Sequence, residues 1–192
     1  MASELEVRPA LPSDLPQILQ IINYWITTSP LITREIPMSQ VDLSELYRKV
    51  KVQGLPFIVA CPAHQSNIVY ACYFTWPEMT RMLNLPGVML GGVYSHPGVK
   101  GMNLFRVMQV HFLRALHQLP WFRGVIAETS TLNATGNQRM QEFPAVDKSA
   151  PFVLTGLAVK QGKWVDQRWF YVCKAASVQM RKDYEDLLSV KV

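Results

Sequence analysis

The 192-residue chain is poor in charge: 17% of its residues are Asp, Glu, Lys or Arg, where an average soluble domain has roughly 25%. With 49% hydrophobic residues, that scarcity excludes disorder as the main state, because such a chain can bury enough apolar surface to offset its ordering entropy. Runs of one sign are also missing. Lys and Arg exceed Asp and Glu by 19 to 14, but the basic residues are scattered and not interleaved with aromatics, which argues against a nucleic-acid partner. No apolar run approaches the roughly 18 to 20 residues of a membrane helix, since Pro, Gly or polar residues interrupt each one, so no membrane partner is expected. The first residues, Met1 to Glu6, lack a basic segment followed by an apolar one, and a cytoplasmic protein is expected. Cysteine is scarce and odd in number, with Cys61, Cys72 and Cys173 in or beside apolar strand-like runs and without metal-ligand spacing. Buried thiols and no metal follow. The motifs G-x-S-x-G, H-E-x-x-H and G-x-x-x-x-G-K-[ST] are absent, and with them several hydrolase, metalloprotease and nucleotide-binding classes.

What is there alternates between two periods. Leu5 to Pro9 reads as a strand, and Ser13 or Asp14 can cap a helix whose apolar face is Leu15, Ile18, Leu19, Ile22, Trp25 and Ile26. A second helix, with Leu43, Leu46, Tyr47 and Val50 on one face, ends at Gly54. Strands are expected at Pro56 to Cys61, Ile68 to Thr75 and Val88 to Tyr94. Helical spacing returns from Met102 to Leu119, with a broad apolar face suited to packing on a sheet. Gly124 to Ser130 reads as a strand, Asn133 to Phe143 as a short helix, and Phe152 to Val159 with Trp164 to Cys173 as a hairpin. This order predicts a mixed α/β fold in one domain, residues 1–174, and a helical extension, residues 175–192, with Met180, Tyr184, Leu187 and Leu188 on one face. His111 and His117, six residues apart, fall on different sides of their helix, which argues against a shared metal and for a helix-surface pair.

The segment Gly91-Gly92-Val93-Tyr94-Ser95-His96-Pro97-Gly98-Val99-Lys100-Gly101-Met102-Asn103 carries a strand through a Gly-containing loop into a helix. Amides at such a helix start, with the helix dipole, suit phosphate, although similar turns also occur for packing alone. Together with Leu5-Glu6-Val7-Arg8-Pro9-Ala10, Asp14, the run Ile21 to Ser29, and Lys160-Gln161-Gly162-Lys163-Trp164-Val165-Asp166, which matches a K-x-G-x-W-x-D hairpin, the chain resembles the phosphinothricin-type acetyltransferases of the GNAT superfamily. The resemblance runs from about Leu5 to Cys173. It implies the GNAT fold, with a mixed central sheet flanked by helices and an acyl-CoA (acetyl-CoA or another) between two splayed parallel strands. It also implies a small-molecule amine or amino-acid-like substrate and a homodimer. Ser95, Val99, Lys100, Gly101, Met102, Asn103 and Asn133 then become the cofactor-binding candidates.

The chain departs from that pattern where the chemistry would be. The pyrophosphate loop, [QR]-x-x-G-x-[GA] in the family, reads Gly98-Val99-Lys100-Gly101-Met102-Asn103, with Lys100 the available charge and Asn103 a side chain where backbone approaches phosphate. Leu90 stands at the central-strand carboxylate and Met140 at the last-helix Tyr or His. Substitutes are Glu128 or His96 as base and Tyr94 as hydroxyl donor. Arg34 is a candidate carboxylate clamp, and Tyr73 and Trp76 candidate walls for the substrate. Two alternatives stand beside acyl transfer: a scaffold that has dropped acyl-CoA for another reaction, and a non-catalytic small-molecule-binding protein.

Overall fold

A computed structural model describes residues 5–29, 32, 34–76, 88–99, 103–122, 124–130, 132–133, 152–160 and 163–189. The chain order is β1 (Leu5–Pro9), a 3-10 turn (Pro12–Asp14), α1 (Leu15–Thr28), α2 (Gln40–Val52), β2 (Phe57–Pro62), β3 (Ala71–Thr75), β4 (Val88–Ser95), α3 (Leu104–His117), β5 (Gly124–Ser130), β6 (Phe152–Lys160), β7 (Lys163–Cys173) and α4 (Lys174–Ser189). The expected Asn133 to Phe143 helix lies, beyond Asn133 itself, outside the described residues. Among those residues no helix is long and apolar enough to cross a membrane.

The seven strands form one sheet in the order β1-β2-β3-β4-β5-β7-β6. Pairs β1/β2, β2/β3, β3/β4, β5/β7 and β6/β7 are antiparallel, and β4/β5 is parallel. That parallel pair is short. Only Val88 with Val125 and Met89 with Ile126 are in register, although β4 continues to Ser95 and β5 to Ser130. Beyond Met89 the two strands run side by side in direction without pairing, so the sheet opens at their C-terminal ends.

Both faces of the sheet are covered, as the all-buried pattern of β2 and β3 requires. On one face Tyr73 stacks on Phe112 of α3 at 3.9 Å between ring centroids. On the other, Tyr47 of α2 meets Phe57, Phe57 meets Phe74, and Phe74 meets Trp76 and Tyr94, at 4.9 to 5.9 Å. The predicted α1 and α2 faces hold: Ile18, Ile22, Ile26, Leu43 and Val50 are at most 1% exposed. Gly54 ends α2 with φ 67°, the left-handed region that glycine adopts at little cost.

Asp14 departs from expectation. Its side chain does not cap α1; it takes two hydrogen bonds from Arg8, at 2.7 and 2.9 Å, and one, at 2.8 Å, from the amide of Leu11 at the head of the 3-10 turn. Arg8 also donates to the Ser66 carbonyl at 2.7 Å, so one buried carboxylate joins β1, the 3-10 turn and the loop after β2. Burial pushes the Asp14 carboxyl up, but the hydrogen bonds and charge of Arg8 and the Leu11 amide outweigh it and leave the group below its ordinary range. Cys61 and Cys72 are buried free thiols. Burial raises both, and that of Cys72 very strongly.

The terminal helix α4 lies against α3. Arg114 donates to Glu185 at 2.8 Å and Arg181 reaches the same carboxylate at 3.6 Å. His117 Nε2 shares a hydrogen bond of 2.9 Å with the hydroxyl of the fully buried Ser177. His111, one and a half turns earlier on α3, is half-buried, and burial and then the nearby Arg114 lower its pKa.

Candidate active site

A strand that must leave its neighbour needs a break in its pleat, and Gly91-Gly92 supplies it. The β3/β4 register runs Phe74 to Gly92 and then Thr75 to Leu90, so β4 has one residue more than its partner there. Such a bulge bends the strand. Gly92 has φ 153°, which side-chain-bearing residues rarely adopt. A Cβ at Gly92 would also stand 2.5 Å from Cε2, 2.9 Å from Cζ and 2.9 Å from the hydroxyl oxygen of Tyr94. The Tyr94 ring therefore lies back across Gly92, with its hydroxyl end over the bulge, and stacks on Phe74 at 5.9 Å and 19°.

The end of β4 is held from outside the sheet. Trp25 Nε1 of α1 donates to the Ser95 carbonyl at 2.6 Å, and the His96 amide donates to the Tyr70 carbonyl at 2.7 Å. His96 then closes a tight turn: its carbonyl accepts from the Val99 amide at 3.0 Å and its ring Nδ1 accepts from the Gly98 amide at 3.1 Å. An Nδ1 that accepts places the proton of the neutral ring on Nε2. In this geometry neither nitrogen has an open lone pair, so His96 organises the turn and is not set up as the base.

Asn103 precedes α3 with φ 48° and ψ 21° and makes no side-chain cap. It keeps the left-handed backbone that the family pattern fills with a small residue, and Asn is among the few others that tolerate it. A helix start without a side-chain cap offers its amides to solvent or an anion. Arg106, in the first turn of α3 and half-buried, puts a cation where the helix dipole alone disfavours one. Lys100, Gly101 and Met102 lie outside the described residues, as does Met140.

At the end of β5, the buried Ser130 accepts from the Asn133 amide with its carbonyl at 2.9 Å and from the Leu132 amide with its hydroxyl at 3.1 Å. Glu128 is placed by its backbone, opposite Trp169 in the β5/β7 pair. Because β4 and β5 run parallel, Tyr94, Ser95, His96, Val99 and Asn103 come to the same end of the sheet as Glu128 and Asn133. Trp76 follows β3 and packs edge-on against Phe74, half-buried.

Two substrate candidates are not part of this group. Tyr73 is 2% exposed, with its hydroxyl on Gln109 Oε1 at 2.7 Å; strand alternation turns it toward α3, and it is a core residue. Arg34 donates from Nε to the Ile36 carbonyl at 2.8 Å and lies 3.4 Å from Asp42. Its fork serves its own loop and α2, an exposed pair rather than a clamp. The residues that sequence reasoning passed over are Gly92, Trp25 and Arg106. A Gly-Gly pair inside a strand pattern is a bulge signal; Arg106 is readable as a cation three residues after Asn103, and Trp25 carries no signal until the fold brings it to the end of β4.

No protein-family model matches the chain, and no curated protein matches it. Solved structures do. One from Salmonella typhimurium, described as an acetyltransferase and solved with acetyl-CoA, superposes with a TM-score of 0.74 at 18% identity, over 90% of this chain and 95% of its own. The fold is that of the GNAT acetyltransferases. A GNAT superfamily phosphinothricin acetyltransferase from Sinorhizobium meliloti, in complex with acetyl-CoA, gives 0.72 at 18% identity over 90% and 89% of the two chains. A spermidine N-acetyltransferase variant from Vibrio cholerae gives 0.68 at 16% identity over 91% and 96%. The GNAT fold predicted from the K-x-G-x-W-x-D hairpin and the strand-loop-helix segment is therefore the observed one.

Proposed function

We propose that this GNAT-fold protein is an acyltransferase that moves an acyl group from acyl-CoA to a small amine or amino-acid-like molecule. The observation that carries the reading is the opening between β4 and β5, which pair over two residues and then separate with an uncapped helix start beyond. Paired strands would leave no room for a ligand between them. Here the room, the amides of the α3 start and Arg106 fit an elongated anionic molecule, with Ser95, Val99, Asn103 and Asn133 along its course. An acyl-CoA, when bound, supplies a thioester carbonyl already activated toward attack. The chain's own part is to hold the acceptor, take its proton and protonate the departing sulfur. Glu128, in the C-terminal half of β5, is the candidate for the first proton and Tyr94 for the second, with Trp76 beside the acceptor. A cytoplasmic homodimer is part of the same reading, and free buried Cys61 and Cys72 fit a reducing compartment.

Calorimetric titration with acetyl-CoA tests the proposal. Saturable binding at micromolar to submillimolar concentration is expected, with release of free CoA when a panel of primary amines is added. Absence of binding at millimolar acetyl-CoA would leave the second reading, a scaffold that has dropped acyl-CoA. Leu90 at the carboxylate position and His96 turned onto Gly98 favour that second reading.

A further inference from the structure

We infer that Gly92 is a positioning residue for the Tyr94 hydroxyl: lacking a side chain, it lets the phenol lie across the β4 bulge, where it protonates the sulfur that leaves during acyl transfer. The inference rests on the acyl-CoA reading above and goes beyond it by assigning a role to the bulge itself.

Gly92 stands three residues past Met89, the last residue of β4 in register with β5, so the bulge lies at the mouth of the opening. A tyrosine in a strand ordinarily stands away from the sheet. Tyr94 instead leans back along its own strand by two residues. The separations of 2.5 and 2.9 Å from a Gly92 Cβ put Cε2, Cζ and the hydroxyl oxygen in the space that a side chain at 92 would fill. Phe74, fully buried and opposite Gly92 in β3, backs the ring on the side away from the opening. The hydroxyl is thus carried from position 94 back over Gly92, at the bulge where the β3/β4 register shifts. A phenol suits the acid role better than the base role, since its ordinary pKa near 10 keeps it protonated at neutral pH. In the step assigned to it, the amine nitrogen bonds to the acyl carbon and the carbon–sulfur bond breaks with its electron pair on sulfur. The phenol proton goes to that sulfur, the proton shed by the nitrogen goes to Glu128, and it returns from there to the phenolate through solvent.

Binding of CoA labelled with carbon-13 at the carbon bearing sulfur reads this without turnover, because the chemical shift reports thiol ionisation. A phenol donating to the thiolate lowers the thiol's midpoint when CoA is bound to the native protein. Tyr94→Phe is expected to raise it by about one pH unit. Gly92→Ala, with the ring retained but displaced, is expected to raise it equally, and the double variant Gly92→Ala/Tyr94→Phe no further. If CoA does not bind the native protein at millimolar concentration, the acyl-CoA reading fails and the inference with it. If CoA binds but Tyr94→Phe leaves the titration unchanged, or a folded Gly92→Ala titrates like the native protein, the inference alone is overturned. Should Gly92→Ala not fold, Gly92→Ala/Tyr94→Ala decides: folding of that pair shows that the ring is what demands glycine, and its failure shows that the backbone does and overturns the inference.

Discussion

Asp14 and Arg8 show how far a single residue can depart from its local signal. A Ser-Asp pair before a run at helical spacing reads as a cap, yet the carboxylate is taken by a guanidinium six residues upstream, which only the return of β1 past the 3-10 turn makes possible. Asp14→Asn leaves the part-buried Arg8 guanidinium, 17% exposed, without its counter-charge, and is expected to cost about 1 to 3 kcal/mol in urea unfolding, the size of lost charge-assisted hydrogen bonds. The same group sets a pH dependence. Its folded pKa lies below its unfolded value of about 3.9, so its contribution is complete well above that value and is lost as pH falls through the folded one. Acid titration of stability should therefore be flatter in Asp14→Asn than in the native protein. Tyr73 carries a smaller stake: Tyr73→Phe strips Gln109 of a buried donor and should cost about 1 to 2 kcal/mol, with acetyl-CoA binding unchanged because the ring faces α3.

Among the elements, those with a strong apolar period were legible and those defined by partners were not. The β1, α1, α2 and β5 segments were placed within a residue or two because their burial follows period 2 or 3.6 directly. The strand expected from Ile68 begins at Ala71, since Val69 is held by Gln17 of α1 rather than by β2. Tyr94 and Asn133 lie toward the ends of β4 and β5 that part from one another, whereas Tyr73 packs on α3 and Arg34 on α2, so residue type alone is no guide to the site. The α3/α4 contact separates two kinds of polar interaction. Arg114 is half-exposed, and Arg114→Ala is expected to change stability by less than about 1 kcal/mol, as solvated ion pairs do. Ser177 is fully buried against His117, and Ser177→Asp, which forces a charge into that contact, should lower the thermal midpoint by several degrees and expose α4 to proteolysis.

For the whole molecule, the reading as a dimer predicts a mass above 21.9 kDa in light scattering at high concentration; a monomer mass there would remove it. One more property follows from the two-residue seam of β4 and β5. Among the described residues, the four strands from β1 to β4 and the three from β5 to β7 share a ladder only at Val88/Val125 and Met89/Ile126. A sheet joined so narrowly can open along that line before either part unravels, which divides the chain into two cooperative units in native-state hydrogen exchange. Consecutive strand amides point to opposite neighbours, so the one amide of the Val125–Ile126 pair that bonds to β4 rather than to β7 should then exchange by a lower-energy opening than the amides of the β2/β3 ladder around Val59 and Cys72 inside the first unit. A ligand lying in the gap would act as a missing strand, bringing the two units to a single common unfolding event.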